Sequence, residues 1–337
     1  MARLQRLVLV GAVALCVSAG TGLALSVAEP QSRTSSGSVP GALLPDLDPV
    51  VPGGLTTETV GSGARRRWRL GFRSATENAG AGPLIVEAGR SSRTEPSMSA
   101  DQVLETRGRG RIVRRDVGRL RFVRSPDHRH WHYLRFMRYE LRTAREHRLV
   151  APDRKSGFCL GDRYDARGAP PAQPSEPAFT GHCNRDRDPD ALSVREGISV
   201  GYGDDYAAQL EGQYVDITTL PSGRYVLVHR ANADGALRER TLANNASSLL
   251  ISLRWRGIGS ATSPVVRRLA ACPDLERCRR KAARGSQAVR LPGERALPGG
   301  ARGDEEEEPD DEGQSGGGHD SVKAAIGGGM AFRGESR

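Results

Sequence analysis

Three of the seven histidines in this chain occur at alternate positions of one short segment: His128, His130 and His132. Alternate residues of an extended strand point to the same face, so the three imidazoles would share one face. Imidazole binds copper, zinc, iron and nickel. The sequence has no CxxC pair, which argues against a structural zinc site. Same-face residues of a flat strand lie roughly 6.5 to 7 Å apart, so a bend or bulge must bring them to one ion at about 2.0 Å. The segment predicts a metal site, most simply for copper; three solvated surface histidines are the alternative.

Lysine is rare in this chain. Of the 50 basic residues only Lys155, Lys281 and Lys323 are lysine. Lys155 begins the apolar stretch KSGFCL, whereas the other two lie in an arginine-rich run and a glycine-rich tail. A guanidinium stays protonated, but a lysine amine becomes a nucleophile once burial lowers its pKa. Lys155 is therefore a candidate nucleophile, and an ordinary lysine at the end of a strand is the alternative.

Several separated motifs occur in an order that resembles the catalytic domain of the lysyl oxidases, in a bacterial secreted version. The resemblance extends from about Leu43 to Trp255 and rests on LLPDL, HRHWHY, KSGFCL, DDYAAQLEGQYVDIT, LPSGRYVL and LANNASSLLISLRW. Each motif alone would be a weak signal, but their shared order makes the resemblance specific.

The resemblance implies a copper-dependent amine oxidase with a cofactor made from its own side chains. In that family, copper held by histidines promotes oxidation of a tyrosine to a quinone, which a lysine attacks to give lysyl tyrosylquinone. His128, His130 and His132 match the family's copper segment, and Lys155 matches the lysine of its Lys-x-x-Phe-Cys-Leu pattern. Such an enzyme converts primary amines, either peptidyl lysine or small amines, to aldehydes with dioxygen, and releases hydrogen peroxide and ammonia.

The resemblance also implies which tyrosine becomes the quinone. The family places this tyrosine after an Asp-x-Tyr step and shortly before an aromatic-x-Asp-Ile-Thr strand. Tyr206 meets this spacing without a gap, and Tyr202 would require an insertion. We therefore predict Tyr206 as the cofactor residue, Tyr214 as a core aromatic and Tyr202 as either a packing residue or a residue that supports the site from nearby. An additional histidine of the animal enzymes is replaced here by Ser125, which leaves three histidines and open coordination positions.

The reaction also needs a general base near the quinone to remove the α-proton of the substrate. Asp204, Asp205 and Asp216 are the nearest carboxylates in the sequence. Each of them is equally suited to hydrogen bonding within a turn, so the identity of the base stays open. Asp204, Asp205 and Glu211 would make the surroundings of Tyr206 acidic and so attract a cationic substrate to a chain of net charge +10.

The N-terminus has the features of a secretory signal peptide over residues 1–28. Arg3 and Arg6 precede the apolar run Leu7–Leu25, and Ser26-Val27-Ala28 satisfies the small-x-small cleavage rule. We therefore expect a secreted, extracellular protein. The apolar run exceeds the usual length of about 7 to 15 residues, so an uncleaved anchor is the alternative. No later stretch approaches the ~20 apolar residues of a membrane span.

Four cysteines remain beyond the signal peptide: Cys159, Cys183, Cys272 and Cys278. In an oxidising compartment four cysteines can pair in three ways. Cys159 and Cys183 enclose a loop-rich excursion, and the other two flank the short run PDLER. We therefore predict the local pairing, Cys159 with Cys183 and Cys272 with Cys278.

Short β-prone runs separated by Gly, Pro and Asp fill the middle of the chain. They predict a mainly β fold, with one β-sandwich-like catalytic domain and long loops over residues 41–260. The only helix expected is short, around Met98–Glu105. Residues 29–40 are polar, and residues 261–337 are basic and then acidic, so we expect both segments to be disordered.

The net charge of +10 does not indicate a nucleic acid partner. The signal peptide, the absence of stacking motifs and the arginine bias of the whole chain argue against one, and anionic cell-envelope polymers are the expected electrostatic partners. Two classes of function remain. Lys155 together with Tyr206 favours the amine oxidase, and a non-catalytic copper-binding or structural protein of the envelope is the alternative. A zinc hydrolase is disfavoured because the sequence has no glutamate base of the HExxH kind.

Overall fold

The computed structural model of the chain describes residues 39–125, 128–155, 157–166, 168, 170, 172–181, 183, 188–257 and 262–279. The signal peptide expected over residues 1–28 lies outside these residues, as do residues 29–38 and 280–337 of the segments expected to be disordered. Within the described part of the chain, no helix has the length and apolar character needed to cross a membrane.

Strands dominate the described fold, which confirms the mainly β class predicted from the sequence. One short 3₁₀ helix, Gly63–Arg65, is present, and the described residues contain no α-helix. The strands are β1 (Ala42–Leu43), β2 (Leu47–Pro49), β3 (Gly53–Val60), β4 (Arg67–Asn78), β5 (Leu84–Gly89), β6 (Ser97–Thr106), β7 (Arg111–Ser125), β8 (His128–Tyr133), β9 (Met137–Thr143), β10 (Leu149–Pro152), β11 (Tyr164–Asp165), β12 (Ser193–Ile198), β13 (Tyr202–Tyr206), β14 (Tyr214–Asp216), β15 (Gly223–Ala231), β16 (Ala246–Arg254) and β17 (Val265–Cys272).

The strands form three antiparallel sheets. The first has the order β12-β5-β6-β7-β8, with β1 paired to β6, and the second has the order β10-β9-β15-β16-β17. The third has the order β11-β13-β4-β14, and β2 and β3 also pair with β4. One hydrophobic core joins the three sheets, with members such as Leu120 from the first, Leu227 from the second and Phe72 from the third, all fully buried. The sheets therefore hold β8, β9 and β13 around a shared interior.

The helix expected around Met98–Glu105 does not form, and that prediction was wrong. These residues lie in β6, where Met98 and Ala100 are buried and the intervening Ser99 is half-buried. Alternating burial is the two-residue period of a strand with one face on the core. Pairing with β5 on one side and β7 on the other satisfies the backbone polar groups of β6. This pairing outweighs the weak local preference of a serine to cap a helix.

The folded region continues beyond residue 260, where the tail was expected to begin. Strand β17 pairs with β16 at the edge of the second sheet, and basic residues within it, Arg267 and Arg268, had obscured its β character. The Cys272–Cys278 disulfide follows directly, and the Cys159–Cys183 disulfide is also present. Both predicted pairings are confirmed.

Candidate metal and cofactor site

Strand β8 carries the three histidines on one face. It lies at the edge of the first sheet, and His128, His130 and His132 stand opposite Ser125, Val123 and Arg121 of β7. All three histidines are buried, while Arg129 between them is exposed. Trp131, on the opposite face, is fully buried in the core and therefore anchors the strand.

The imidazoles converge on one another. Their ring centroids are 4.7 to 5.4 Å apart, and one nitrogen from each ring can be chosen so that all three lie within 4.8 Å of one another. His130 Nε2 and His132 Nε2 are 2.8 Å apart, a separation expected of two nitrogens that each bind one ion at about 2.0 Å. The three rings therefore fit a single metal ion.

The convergence does not use a β-bulge. The β7–β8 register runs without a shift from Leu120 with Tyr133 to Ser125 with His128, and no residue of β8 has a positive φ. The side chains instead lean toward the middle of the strand, because the ring centroids of His128 and His132 are only 4.9 Å apart. Of the two expected means of convergence, a bend or a bulge, the bulge is therefore absent from β8, all of whose residues are described.

The surroundings keep His132 in its neutral form. Burial lowers the pKa of His132 most, and the neighbouring His130, His128, Lys155 and Arg121 lower it further. A neutral imidazole has a free lone pair, which is the form that binds a metal. His132 Nδ1 is buried without a hydrogen-bond partner. His132 therefore disfavours a proton and keeps a nitrogen lone pair that can bind a metal ion such as copper.

The segment that contains Lys155 passes directly against the histidine strand. Tyr133 and Phe158 exchange two backbone hydrogen bonds, with N···O distances of 2.8 and 3.1 Å. Asp153 then fixes the start of the segment, because its carboxylate accepts hydrogen bonds from the backbone N–H of Tyr139 at 2.6 Å and of Lys155 at 3.2 Å. Tyr139 of β9, through Asp153, therefore holds the Lys155 segment close to β8, the strand that carries the histidines.

The structure brings Lys155 and Tyr206 together. Lys155 Nζ lies 4.9 Å from the centroid of the Tyr206 ring and 5.5 Å from that of Phe158. The amine also donates a hydrogen bond to the backbone oxygen of Glu211 at 3.4 Å. Phe158 packs edge-on against Tyr206, with centroids 5.1 Å apart. The lysine amine is thus the basic group above the ring of the predicted cofactor tyrosine.

Tyr206 ends strand β13 and its side chain is buried. Its hydroxyl donates toward Asp204 Oδ2 at 2.6 Å and toward the carbonyl oxygen of Cys159 at 2.9 Å. Burial raises the pKa of Tyr206 well above its ordinary value, and the Asp204 carboxylate raises it further. Burial also raises the pKa of Asp204 to about 7, although Arg163, with Nε 3.5 Å from Asp204 Oδ1, opposes that shift.

The structure separates the three aspartates that the sequence left open. Asp204 contacts the Tyr206 hydroxyl, whereas Asp205 lies on the opposite face of β13 because neighbouring strand residues alternate. Asp216 accepts a hydrogen bond from the backbone N–H of Thr218 at 2.8 Å, which is a turn contact. The pattern DxY carried the signal for Asp204, but only the fold shows which carboxylate reaches the hydroxyl.

The two other tyrosines of this region occupy structural positions. Tyr202 is buried and its hydroxyl donates to the carbonyl oxygen of Pro174 at 3.3 Å. Tyr214 was predicted to be a core aromatic, but it is only half-buried at the start of β14, where the guanidinium carbon of Arg69 lies 4.0 Å from its ring centroid. Neither residue has a described contact with Lys155.

Two positions near the site were missed by the sequence reasoning. Arg163 lies beside Asp204, and Glu196 is fully buried and accepts a hydrogen bond from the backbone N–H of Leu160 at 3.1 Å. Burial raises the pKa of Glu196 well above its ordinary value. Neither belongs to a motif with recognisable spacing, so their proximity to the site became visible only in the folded chain.

Comparison with known proteins finds similarity to one family. Residues 113–258 match the family described as Lysyl oxidase. The protein-lysine 6-oxidase of Gallus gallus is 31% identical over 119 residues, which are 35% of this chain and 24% of that protein. The human protein-lysine 6-oxidase is 30% identical over 119 residues (35% of this chain, 25% of that protein), and human lysyl oxidase homolog 1 is 27% identical over 140 residues (41% and 22%).

These matches span about a quarter of the length of the curated relatives. Residues 113–258, matched by the family model, include β8, the Lys155 segment and β13, which carry the histidines, the lysine and the tyrosine. Residues 113–258, which form much of the β domain, are therefore similar to the lysyl oxidase family.

Proposed function

We propose that this chain is a copper-dependent amine oxidase that acts on a primary amine, either peptidyl lysine or a small amine. The observation that carries this proposal is the placement of Lys155 Nζ 4.9 Å from the Tyr206 ring centroid, on a segment bonded to the end of the histidine strand. The names of the curated relatives, protein-lysine 6-oxidase, support the same reaction class.

Each side chain of the site has a defined part in this proposal. His128, His130 and His132 would hold copper, which supplies the one-electron and dioxygen chemistry that zinc lacks. Tyr206 provides the ring, and Lys155 the nucleophilic amine that becomes linked to it as lysyl tyrosylquinone. Lys155 Nζ lies over the face of the Tyr206 ring in a cation–π contact, so the amine is already oriented to attack the ring from that face.

The described packing limits access of water to this ring. Tyr206 is 7% exposed, and Phe158 beside it is 1% exposed. This small exposed fraction suits a slender amine, such as a lysine side chain or a small alkylamine. We further propose a secreted location, which suits the signal peptide features and the two disulfides. Anionic envelope polymers remain the expected electrostatic partners.

The test starts from metal-free mature protein to which copper and dioxygen are added. We expect about one copper per chain, visible absorption that reacts with phenylhydrazine, and a cross-linked peptide joining Lys155 to Tyr206. Lys155→Arg keeps the positive charge and removes the nucleophile, so the cross-link should be lost while copper is retained. Tyr206→Phe should also abolish peroxide release from a primary amine.

Matched tyrosine variants serve as controls. Tyr202→Phe should lower the rate only modestly, and Tyr214→Phe should change mainly stability, by about 1 kcal/mol or less. Copper binding without any quinone would favour the alternative, a non-catalytic copper-binding protein of the envelope. Amine oxidation by Lys155→Arg at the parental rate would contradict the assigned role of this lysine.

A further inference from the structure

The hydroxyl of Tyr206 has two oxygen neighbours but only one proton. The carbonyl oxygen of Cys159, at 2.9 Å, accepts a hydrogen bond but cannot hold a proton, whereas the carboxylate of Asp204, at 2.6 Å, can do both. Asp204 is completely buried, so no water competes for this contact. Oxidation of a phenol to a quinone must remove the hydroxyl proton, and this group needs an acceptor within hydrogen-bond distance.

We propose that Asp204 is a catalytic residue of cofactor formation, in which its Oδ2 accepts the phenolic proton of Tyr206. This inference rests on the proposed function, because it assigns a step in making the cofactor. In the step, the O–H bond of Tyr206 breaks, its electron pair stays on the phenolate oxygen, and a new O–H bond forms on Asp204 Oδ2. The transfer itself consumes no oxidant; the later oxidation of the ring uses dioxygen, as in the proposed function.

The charges around Asp204 suit this transfer. Asp204 and Tyr206 share one negative charge before and after the proton moves, and Arg163 Nε, 3.5 Å from Asp204 Oδ1, lies beside that charge. The Lys155 amine lies on the ring of Tyr206, 4.9 Å from its centroid, where a positive charge favours the phenolate. Asp205 of the same strand raises the pKa of Asp204. The charge of Asp204 in turn raises the pKa of three groups on neighbouring strands: Glu196 of β12, Tyr164 of β11 and Tyr139 of β9.

The same contact has a second use once the proton has moved. The oxygen of Tyr206 then needs a hydrogen-bond donor rather than an acceptor, because a quinone oxygen carries no proton. A protonated Asp204 supplies that donor at the existing distance of 2.6 Å, so the side chains do not have to rearrange. The pKa of Tyr206 is raised well above normal and that of Asp204 to about 7, so the proton rests on Tyr206 before the transfer.

The experiment follows the rate at which quinone absorption appears after copper and dioxygen are added to metal-free protein. Asp204→Asn removes the proton acceptor but keeps the size of the side chain, and should slow this rate about 100-fold or more at mildly alkaline pH. Copper content and the Cu(II) spectrum should be unchanged. Asp204→Glu, which retains a carboxylate, should restore part of the rate.

Asp205→Asn is the matched control. It removes the same charge from the neighbouring residue on the opposite face of β13, and it should form the quinone at close to the parental rate. The parental protein provides a further measurement without any substitution. Its rate should fall as the pH drops below about 7, where Asp204 becomes protonated, and the same profile should be absent from Asp204→Asn.

Each outcome bears on the proposal. Quinone formation by folded Asp204→Asn at the parental rate would overturn it, as would an equal loss in Asp205→Asn. If Asp204→Asn fails to fold, a parental rate that does not change between about pH 5.5 and about pH 9 would overturn it. Absence of quinone in the parental protein would remove the proposed function and this role together, whereas quinone in both proteins would remove only the role of Asp204.

Discussion

Two glycines allow the Lys155 segment to pass close to its neighbours. A Cβ atom on Gly157 would lie 3.0 Å from both His132 Cβ and the backbone oxygen of Tyr133, and one on Gly212 would lie 2.9 Å from Lys155 Cα. Both glycines have positive φ, +130° and +75°, a backbone conformation that residues other than glycine rarely adopt. At the scale of single residues, Gly157 and Gly212 therefore allow the lysine to lie close to the histidines and the tyrosine, because neither glycine has a side chain.

Gly157→Ala should weaken both the fold and the metal site. The added methyl group meets backbone and requires an unfavourable φ, so we expect a loss of about 1 to 3 kcal/mol in the free energy of unfolding. His132 would be displaced, and copper affinity should fall with it. Denaturant unfolding and copper titration measure the two effects separately.

Gly235→Ala is the control for this substitution. Gly235 also has a positive φ, +65°, but nothing lies within 4 Å of the added Cβ. It should lose about 1 kcal/mol of stability and keep the parental copper affinity. Equal copper affinity in Gly157→Ala and Gly235→Ala would show that contact with His132 is unimportant.

At the scale of elements, the outer edge of strand β8 is covered by both ends of one disulfide loop. Trp131 N–H donates to the carbonyl oxygen of Cys183 at 3.1 Å, and Tyr133 N–H donates to that of Phe158 at 2.8 Å. Cys159 also accepts a hydrogen bond from Tyr206. The Cys159–Cys183 disulfide thus connects the strand that carries the histidines to the strand that carries the tyrosine.

Replacing Cys159 and Cys183 by serine should therefore affect both stability and the site. The bond closes a loop with a sequence separation of 24, for which loop entropy predicts a loss of about 3 kcal/mol. Copper affinity and the rate of quinone formation should decrease as well, because β8 and Tyr206 both lose a fixed neighbour. Thermal unfolding, copper titration and quinone absorption provide the three readouts.

The second disulfide offers a matched comparison. Cys272 and Cys278 close a shorter loop, with a sequence separation of 6, at the end of β17. Their replacement should cost about 2 kcal/mol without a change in copper affinity. If both double variants lost copper equally, the loss would be due to general destabilisation and not to the contact of the Cys159–Cys183 loop with β8.

At the scale of the whole molecule, several buried or half-buried carboxyl groups bind protons more tightly in the folded chain than in the unfolded one. Burial raises the pKa of Asp48, Asp204 and Glu239 to about 7 each. Their ordinary values are 3.8 for aspartate and 4.5 for glutamate. The stability that these protons contribute is complete below the unfolded pKa and is lost as the pH rises through about 7.

We therefore expect metal-free protein to unfold at a lower temperature at about pH 8.5 than at about pH 6.5. The comparison stays at or above pH 6.5 because buried histidines act in the opposite direction below it: burial lowers the pKa of His229 to about 4. Thermal unfolding followed by circular dichroism at the two pH values measures the difference. An unfolding temperature that is equal or higher at pH 8.5 would contradict this expectation.

Asp48→Asn should reduce this pH dependence. Asp48 lies near Asp274, Glu77 and Asp46, whose negative charges add to burial in raising its pKa. An amide remains neutral at every pH, so the contribution of this group to the slope disappears. The unfolding temperature of the variant should exceed that of the parental protein at pH 8.5 by more than it does at pH 6.5.

Much of the site could be predicted from local sequence. Alternating histidines specify one face of a strand because the side-chain period of a strand is two, and β8 has that arrangement. The KSGFCL and DDY motifs pointed to Lys155 and Tyr206 through resemblance, and the enclosed loops indicated both disulfide pairings. The helix predicted over Met98–Glu105 failed because a capping serine is a weak local signal, and pairing on both edges of β6 outweighed it.

Contacts between distant segments could not be read in this way. The sequence held three aspartates equally suited to the site. Alternation along β13 puts Asp204 on the face of Tyr206 and Asp205 on the other, but these residues form a strand only because they pair with the distant β4. Likewise, the distance of 4.9 Å from Lys155 Nζ to the Tyr206 ring centroid depends on the Tyr133–Phe158 bridge and on close approach at two glycines. Residue types and short spacings establish which chemistry is available, because they act through local backbone geometry. Which side chains come into contact depends on pairing between distant strands. Packing of the whole core determines that pairing.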